Sequence, residues 1–233
     1  MNIIEIYNRF KDCGCVTTDT RTLKGGEMFF ALKGENFDGN EYAMKALEAG
    51  AAYAVVNEDS AVAALDDPRL VKVKDTLQTL QELARWHRSM TFVDGKPLRV
   101  IALTGTNGKT TTKEFISAVL DRKYSLYKTN GNFNSTIGMP MSMLELSQRN
   151  NAAVFEMGMS GFGEIEYLSK IAEPDIAIVT NIGSSHMGHL GSRENIGKAK
   201  LEIAAGLKSD GCLLINADEP LLLEQYEKLG KKT

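Results

Sequence analysis

Three cysteines in 233 residues are too few, and odd in number, for a disulfide framework. Such sparse use fits a reducing cytosol. Cys13 and Cys15 form a C-x-C, yet no further Cys or His lies nearby to complete the four ligands of a zinc site, so they read as incidental thiols. An excess of positive charge is also missing: 27 Lys and Arg stand against 30 Asp and Glu, a net −3, which leaves no electrostatic footprint for nucleic acid. Anionic substrates are not excluded, provided that positive groups gather locally. No apolar run approaches the roughly 20 residues of a membrane span. The opening "MNIIEIYNRFKDCG" mixes charges into its apolar residues and is no secretory leader. Internal repeats and low-complexity stretches are lacking as well. What remains is an ordinary water-compatible composition, long enough for one large domain or two modest ones.

From Arg99 onward, apolar runs alternate with helical patterns. "RVIALTG", "AAVFEMG", "DIAIVTNIG" and "GCLLINAD" read as strands, with a weaker one at "SLYKT". Between and after them, "TTKEFISAVLDR", "STIGMPMSMLELSQR", "FGEIEYLSKIA", "SRENIGKAKLEIAAGL" and "EPLLLEQYEKLG" have helical periodicity. Continuous apolar strands separated by helices predict a mostly parallel sheet with helices on both faces, an α/β fold. Ligands of such sheets sit at the carboxyl ends of the strands. The first part is also mixed but built of smaller units: a strand in "GEMFFALKG", a helix in "NEYAMKALEAGA", strands in "AYAVV" and "LVKVK", and a helix in "TLQTLQELARWHRSM". The segment 91–98, "TFVDGKPL", with Asp-Gly and a proline, is the best linker, so two domains are expected, 1–95 and 96–233.

The strand ending at "ALTG" runs into "GTNGKTTTKE" and then a helix, the setting of a phosphate-binding loop. Backbone N–H groups of Gly105, Thr106, Asn107 and Gly108 would face phosphate oxygens, helped by the helix dipole. Lys109 would neutralise the terminal phosphates, and the hydroxyl of Thr110, followed by Thr111, would join a magnesium shell. The common form has a glycine five residues before the Gly-Lys pair, and Leu103 stands there instead.

Three further residues fall at strand ends or in the helix that follows. Glu156 closes the strand of "VFEMGMSG"; a carboxylate there is either paired or metal-bound, or else partly exposed. His186 and His189 share the loop "TNIGSSHMGHLG". In "SRENIGKAKLEIAAGL", Ser192 suits an N-cap and Ile196, Ala199, Ile203 and Leu207 form the inward stripe. Lys200 lies four after Ile196 and three before Ile203, on or beside that buried face; taken alone it reads as a side chain that snorkels to water. Lys198, four before Glu202, suits an exposed pair.

Together these residues resemble the Mur ligases, ATP-dependent amide-forming enzymes of peptidoglycan assembly, whose loop also lacks the first glycine. The segments that carry the resemblance are "TDTRTLKGGEMFFALKGENFDG", "GNFNSTIGMP", "FEMGMSGFGEI", "TNIGSSHMGHLGSRENIGKAKLEI" and "INADEP", in the family's order along nearly the whole chain. Within the family they look most like the ligases that add D-alanyl-D-alanine to UDP-N-acetylmuramoyl-tripeptide. The resemblance implies that ATP phosphorylates a carboxylate and that an amine then attacks the acyl phosphate. It implies that Thr110 and Glu156 bind one magnesium beside the phosphates, that Lys200 is carbamylated by carbon dioxide, and that His186 and carbamylated Lys200 hold a second magnesium. Asn134, in "GNFNSTIG", matches a family asparagine near the phosphates.

The first domain resembles the part that holds the UDP end of the substrate, with Thr20, Arg21, Lys33, Gly34 and Asp38 at the contact. Asn40 departs from the histidine that relatives often carry there. The resemblance further implies a cytoplasmic monomer, and an ATP-binding central domain that is incomplete here, without the C-terminal domain for the incoming amine; little or no turnover is then expected of this chain alone. Two other readings stay open: a ligase that adds the third amino acid of the peptide, and a non-catalytic UDP-sugar or nucleotide-binding module. Folylpolyglutamate synthetases share the loop chemistry but begin close to it, which the preceding 95-residue domain speaks against.

Overall fold

The computed structural model describes residues 1–184 and 187–228. Contacts divide the chain into two compact units, Met1–His87 with Met143–Glu145, and Arg88–Ser142 with the chain from Leu146 onward.

The first unit opens with a helix, α1 (Ile3–Cys13). Asn2 and Glu5 close its N-terminus as a capping box, and Gly14 in the left-handed region ends it. The strands β1 (Val16–Thr17), β2 (Met28–Phe30), β5 (Tyr53–Asn57) and β6 (Leu70–Val73) form a parallel sheet in the order β1-β2-β5-β6. Between β2 and β5, β3 (Lys33–Gly34) and β4 (Phe37–Asp38) make a small antiparallel hairpin, followed by helix α2 (Ala43–Glu48). The expected strand "GEMFFALKG" is therefore split between sheet and hairpin. Phe29, Ala54, Val56 and Leu70 belong to one apolar cluster with Ala43, Ala46 and Leu47 of α2. Their strand neighbours Met28, Phe30, Val55 and Val71 are equally buried, so both faces of the sheet are covered. Helix α3 (Thr76–Ser89) closes the unit and sets His87 edge-on to Phe10 of α1. Cys13, Cys15 and Cys212 are free thiols. Burial first, then Cys15, Asp12 and Glu27, push the Cys13 thiol up to about 11, which keeps it protonated and unreactive.

The segment read as a linker lies within the second unit, which begins at Arg88, and forms a hairpin of β7 (Phe92–Val93) and β8 (Lys96–Pro97) turning through Asp94 and Gly95, both at positive φ. Its main sheet holds β9 (Arg99–Thr104), β10 (Leu126–Lys128), β11 (Ala152–Glu156), β12 (Ile176–Val179) and β13 (Cys212–Ile215). All pairs are parallel, in the order β10-β11-β9-β12-β13. The helices are α4 (Lys109–Leu120), α5 (Gly138–Met143), α6 (Glu164–Ala172), α7 (Met187–Leu190), α8 (Arg193–Leu201) and α9 (Pro220–Lys228). All five residues of β11 are buried, as a strand covered on both faces requires. The long pattern 192–207 is helical only to Leu201 and continues as a 3-10 segment, Glu202–Gly206. Because β9 is central and the next strand, β10, pairs beyond β11, the carboxyl ends of β9, β11 and β12 surround the switch point of the sheet. No described helix is long and apolar enough to cross a membrane.

Candidate functional site

The glycine loop leaves β9 at Thr104 and enters α4 at Lys109, with Gly108 at φ 76° as the N-cap. Only glycine takes that conformation without cost, and it leaves the first N–H groups of α4 facing outward. Gly105 is a close approach: an added Cβ would collide with Thr180 Oγ1 just past β12. The 180–183 segment clamps the loop. Asn181 O accepts from Thr106 N (3.1 Å) and Asn181 Oδ1 from Asn107 N (3.0 Å). Thr180 Oγ1 and Asn181 Nδ2 both donate to Asn107 O at 2.9 Å, and Gly183 N donates to Thr106 Oγ1 at 2.8 Å. Thr180 and Asn181 escape a reading of the sequence as functional positions. The available signal was the polar pair that ends an apolar strand in "IVTNIG". Lys109 Nζ curls over the loop to Gly105 O (3.0 Å) and Thr106 O (3.3 Å), and Thr111 is exposed on the first turn.

Behind the loop, the structure unites residues that are far apart in sequence. Glu156 ends β11 opposite Leu103 of β9. Its Oε2 accepts from Thr110 Oγ1 at 3.0 Å and its Oε1 from Asn134 Nδ2 at 2.9 Å. Glu156 N donates to Thr129 Oγ1 at 3.1 Å, fixing the end of β11 against the end of β10. The carboxylate is 2% exposed, so the partly exposed strand-end reading does not hold. Asn134 in turn packs its side-chain amide where a side chain at Gly158 would stand, and its backbone carbonyl accepts from Gly158 N at 2.8 Å.

A cavity of about 260 Å³ opens in front of these groups, lined by Gly105, Lys109, Asn134, Ser135, Gly158, Met159, Ser160, Glu164 and Lys200. Lys200 is 2% exposed and does not snorkel to bulk water. Burial first, then the positive charge of Lys109, bring its pKa down from the usual lysine value to about 8. Ser192 does cap α8, accepting from Asn195 N at 3.2 Å. Glu202 is not free for a surface pair with Lys198. It turns to the N-terminus of α6, where both carboxylate oxygens accept from Gly163 N (3.0 and 2.9 Å) and Oε2 also accepts from Glu166 N at 3.3 Å. An uncapped helix N-terminus with its partial positive charge outcompetes a solvated lysine. His186 lies outside the described residues.

The candidate residues of the first unit divide between two cavities. Thr20 and Arg21 line one of about 520 Å³, together with Asp19, Phe37, Tyr42 and Lys45. Phe37 and Tyr42 are stacked at 5.1 Å. Arg21 is held by Asp19 through Nε and Nη2, at 2.9 and 2.7 Å. Lys33 and Asp38, 3.8 Å apart, line another cavity of about 640 Å³ with Asn40, Asn57 and Ser60. Gly34 pairs with Phe37 in the hairpin. Asn40 is buried: it donates N–H and amide to Asp38 Oδ1 and accepts from Asn57 N at 2.8 Å.

Among the described residues, no three His, Cys, Asp or Glu side chains cluster as a ready-made metal cage. Thr110 and Glu156 could hold a cation whose remaining ligands are phosphate and water. That is how magnesium binds, with one or two carboxylates, substrate phosphates and retained waters.

The model of the Mur ligase middle domain matches residues 103–233, and that of the Mur ligase family catalytic domain matches residues 13–88. The UDP-N-acetylmuramoyl-tripeptide–D-alanyl-D-alanine ligase of Bacillus subtilis is 49% identical over 211 residues, which are 91% of this chain and 45% of that protein. The Escherichia coli ligase of the same name is 39% identical over 93% of the chain and 46% of its own length. Among solved structures, MurF from Acinetobacter baumannii superposes with a TM-score of 0.85 at 31% identity, covering 97% of this chain and 51% of that one. MurF ligase from Thermotoga maritima, solved in complex with ADP, gives 0.81 at 32% identity, covering 92% and 48%. The chain spans about half the length of the relatives it matches.

Proposed function

The chain belongs to the Mur ligase family, and from that premise we propose that the complete gene product joins D-alanyl-D-alanine to UDP-N-acetylmuramoyl-tripeptide in an ATP-dependent step of peptidoglycan synthesis. The observation that carries this reading is the gathering of Lys109, Asn134 and Lys200 around one cavity, with the Thr110–Glu156 contact behind it. The N–H groups of Thr106 and Asn107, expected from the sequence to face phosphate, are taken by Asn181; the loop instead offers those from Gly108 to Thr111, at the open start of α4, together with Lys109, to the phosphates of ATP. A carboxylate of the substrate takes the terminal phosphoryl group, and the amine of the dipeptide displaces phosphate from the resulting acyl phosphate, leaving an amide and a proton.

Thr110 and Glu156 would hold magnesium beside the phosphates, with Asn134 keeping the carboxylate aimed. His186 and Lys200 would hold a second ion, Lys200 as its carbamate. The two cations, when bound, would neutralise charge on the transferring oxygens. Lys200 suits carbamylation: its buried amine, with a pKa near 8, keeps a free lone pair in reach at neutral pH. Its nitrogen forms a bond to carbon dioxide and releases a proton, which turns a repelling ammonium into an anionic oxygen ligand. Thr20, Arg21, Lys33, Gly34 and Asp38 would receive the UDP end of the substrate in the first unit. A cytoplasmic monomer completes the proposal.

The test is a coupling assay on the complete gene product with ATP and, in separate arms, UDP-N-acetylmuramoyl-tripeptide or its dipeptide precursor, offering D-alanyl-D-alanine against lysine or meso-diaminopimelate. Phosphate release and a mass increase with D-alanyl-D-alanine alone are expected. Coupling of lysine or diaminopimelate to the shorter dipeptide precursor instead would identify a ligase for the third residue. Absence of any ATP-dependent coupling would leave a binding module.

A further inference from the structure

Helix α4 is built against the usual rule for an amphipathic helix. The residues it buries are Lys113 and Ser117, whereas Phe115 and Val119 are 71% and 72% exposed. Lys113 is 1% exposed, and its ammonium ends inside the unit, where it donates to Thr129 O at 2.7 Å. It stands 3.6 Å from Glu114 Oε1 and 3.8 Å from Glu156 Oε2. Glu114 is half-exposed and also pairs with Lys128. The pairing with both partners out of water is therefore Lys113 with Glu156. Enclosing a lysine in this way is costly unless a counter-charge offsets it, and no packing gain explains it, because apolar residues of the same helix are left exposed.

We propose that Lys113 is a positioning residue that acts as the internal counter-cation of Glu156, so that a divalent cation is taken up at Thr110 and Glu156 together with nucleotide phosphates rather than alone. The proposal rests on the reading of Glu156 as a metal ligand. Glu156 Oε2 faces the Lys113 ammonium and the Thr110 hydroxyl, and Oε1 accepts from Asn134. A free cation arriving at Oε2 gains a carboxylate whose charge is balanced, and it meets the repulsion of a fixed positive charge in a medium that screens poorly. A cation that brings phosphates carries compensating negative charge and is not opposed in the same way. Cation and nucleotide thus become coupled ligands, each raising the affinity of the other by one common factor.

Mn²⁺ is the probe, with free ion counted by electron paramagnetic resonance on the complete gene product, with and without ADP. The variant Lys113→Gln removes the charge but keeps an amide donor for Thr129 O. It is expected to bind Mn²⁺ alone at least about tenfold more tightly than the parent, and the tightening by ADP should shrink by the same factor. Lys113→Arg, which keeps the charge, should behave as the parent. A purely structural tie between α4 and β10 predicts no gain in affinity for the lone ion; equal or weaker Mn²⁺ binding by Lys113→Gln overturns the proposal. If that variant melts below the measuring temperature, its melt is repeated with Mn²⁺ alone: a rise larger than the parent's supports the role, and no rise removes it. Glu156→Gln separates the two layers of inference. Loss of ADP-enhanced Mn²⁺ binding confirms the ligand, so that a failing Lys113→Gln then counts against Lys113 only. Unchanged binding in Glu156→Gln removes both.

Discussion

Asn134 donates its side-chain amide to Glu156 across 2.9 Å, from the loop after β10 to the last residue of β11. That single bond aims a buried carboxylate toward Thr110, the threonine that follows Lys109 in the phosphate loop. Truncation by Asn134→Ala leaves Glu156 Oε1 without its donor inside the protein. The expected cost is about 1–3 kcal/mol, read as a lower urea midpoint with an unchanged slope. Asn134→Asp should cost more, because it places a second anion against the first. A midpoint unmoved by either change would mean that Glu156 is oriented by Thr110 and Lys113 without Asn134.

Gly105 and Thr180 occupy one another's space at the ends of β9 and β12. Gly105→Ala should force the loop off its clamp on Asn107 and Asn181 and weaken ADP binding at least about tenfold, a loss of roughly 1.4 kcal/mol. Thr180→Ala, which removes the hydroxyl that the new methyl group would strike, should recover part of that loss when combined with Gly105→Ala. Neighbours that share a contact couple by about 0.5–3 kcal/mol in a double-mutant cycle. Titration of ADP by calorimetry across the four proteins gives the coupling, and strict additivity would refute the shared-space account.

The two changes also mark the limit of what the sequence discloses. The strands of the second unit were legible because strands buried on both faces are continuous apolar runs, as β11 is along its whole length. The place of Lys200 on the inward face followed from its spacing to Ile196 and Ile203, and both are fully buried. Its failure to reach water was not legible, since snorkelling depends on what lies over the helix end. The clamp by Thr180 and Asn181 joins positions more than seventy residues apart and leaves no local periodicity. Glu202 illustrates a competing partner: an i,i+4 rule assigned it to Lys198, and the open N-terminus of α6 took it instead. Asn40 looked like a departure at a contact residue. The structure shows it as a buried tie between Asp38 and Asn57, a role that joins distant parts of the first unit and leaves no local signal. The charge pairing of Lys113 was hidden for the same reason as the clamp, because its partner Glu156 comes 43 positions later in the chain.

Carbon dioxide uptake tests the state of Lys200. With ¹³C-bicarbonate and Mg²⁺, the complete gene product should show a carbamate resonance that Lys200→Arg abolishes and Lys198→Arg leaves in place. Lys198 is exposed on the same helix, so it controls for nonspecific reaction at surface amines. Acidification with removal of carbon dioxide should erase the signal, and fresh bicarbonate should restore it. A signal that persists in Lys200→Arg, or that never forms in the parent, would show that this buried amine stays unmodified and would remove the second cation site as proposed.

Glu27 gives the first unit a pH-dependent stability. Its two carboxylate oxygens accept from Lys24 N and Gly25 N, both at 2.8 Å, and close the turn that leads into β2. The bond from Lys24 N is the largest cause that holds its pKa below the usual glutamate value of 4.5; the bonds from its own N–H and from Gly25 and the charge of Lys24 act the same way against the cost of burial. A carboxyl whose folded pKa is depressed binds fewer protons in the folded state than in the unfolded one. Its contribution is therefore complete above the unfolded value and fades as pH falls through the lowered folded value. Glu27→Gln keeps one acceptor and loses the other, which should cost about 1–2 kcal/mol at pH 7. The gap between parent and variant in urea midpoint should stay constant from pH 8 to about pH 5 and close below the folded pKa. A gap that persists unchanged at the acid end would assign the effect to shape rather than charge, and would show that the turn is held without the ionised carboxylate.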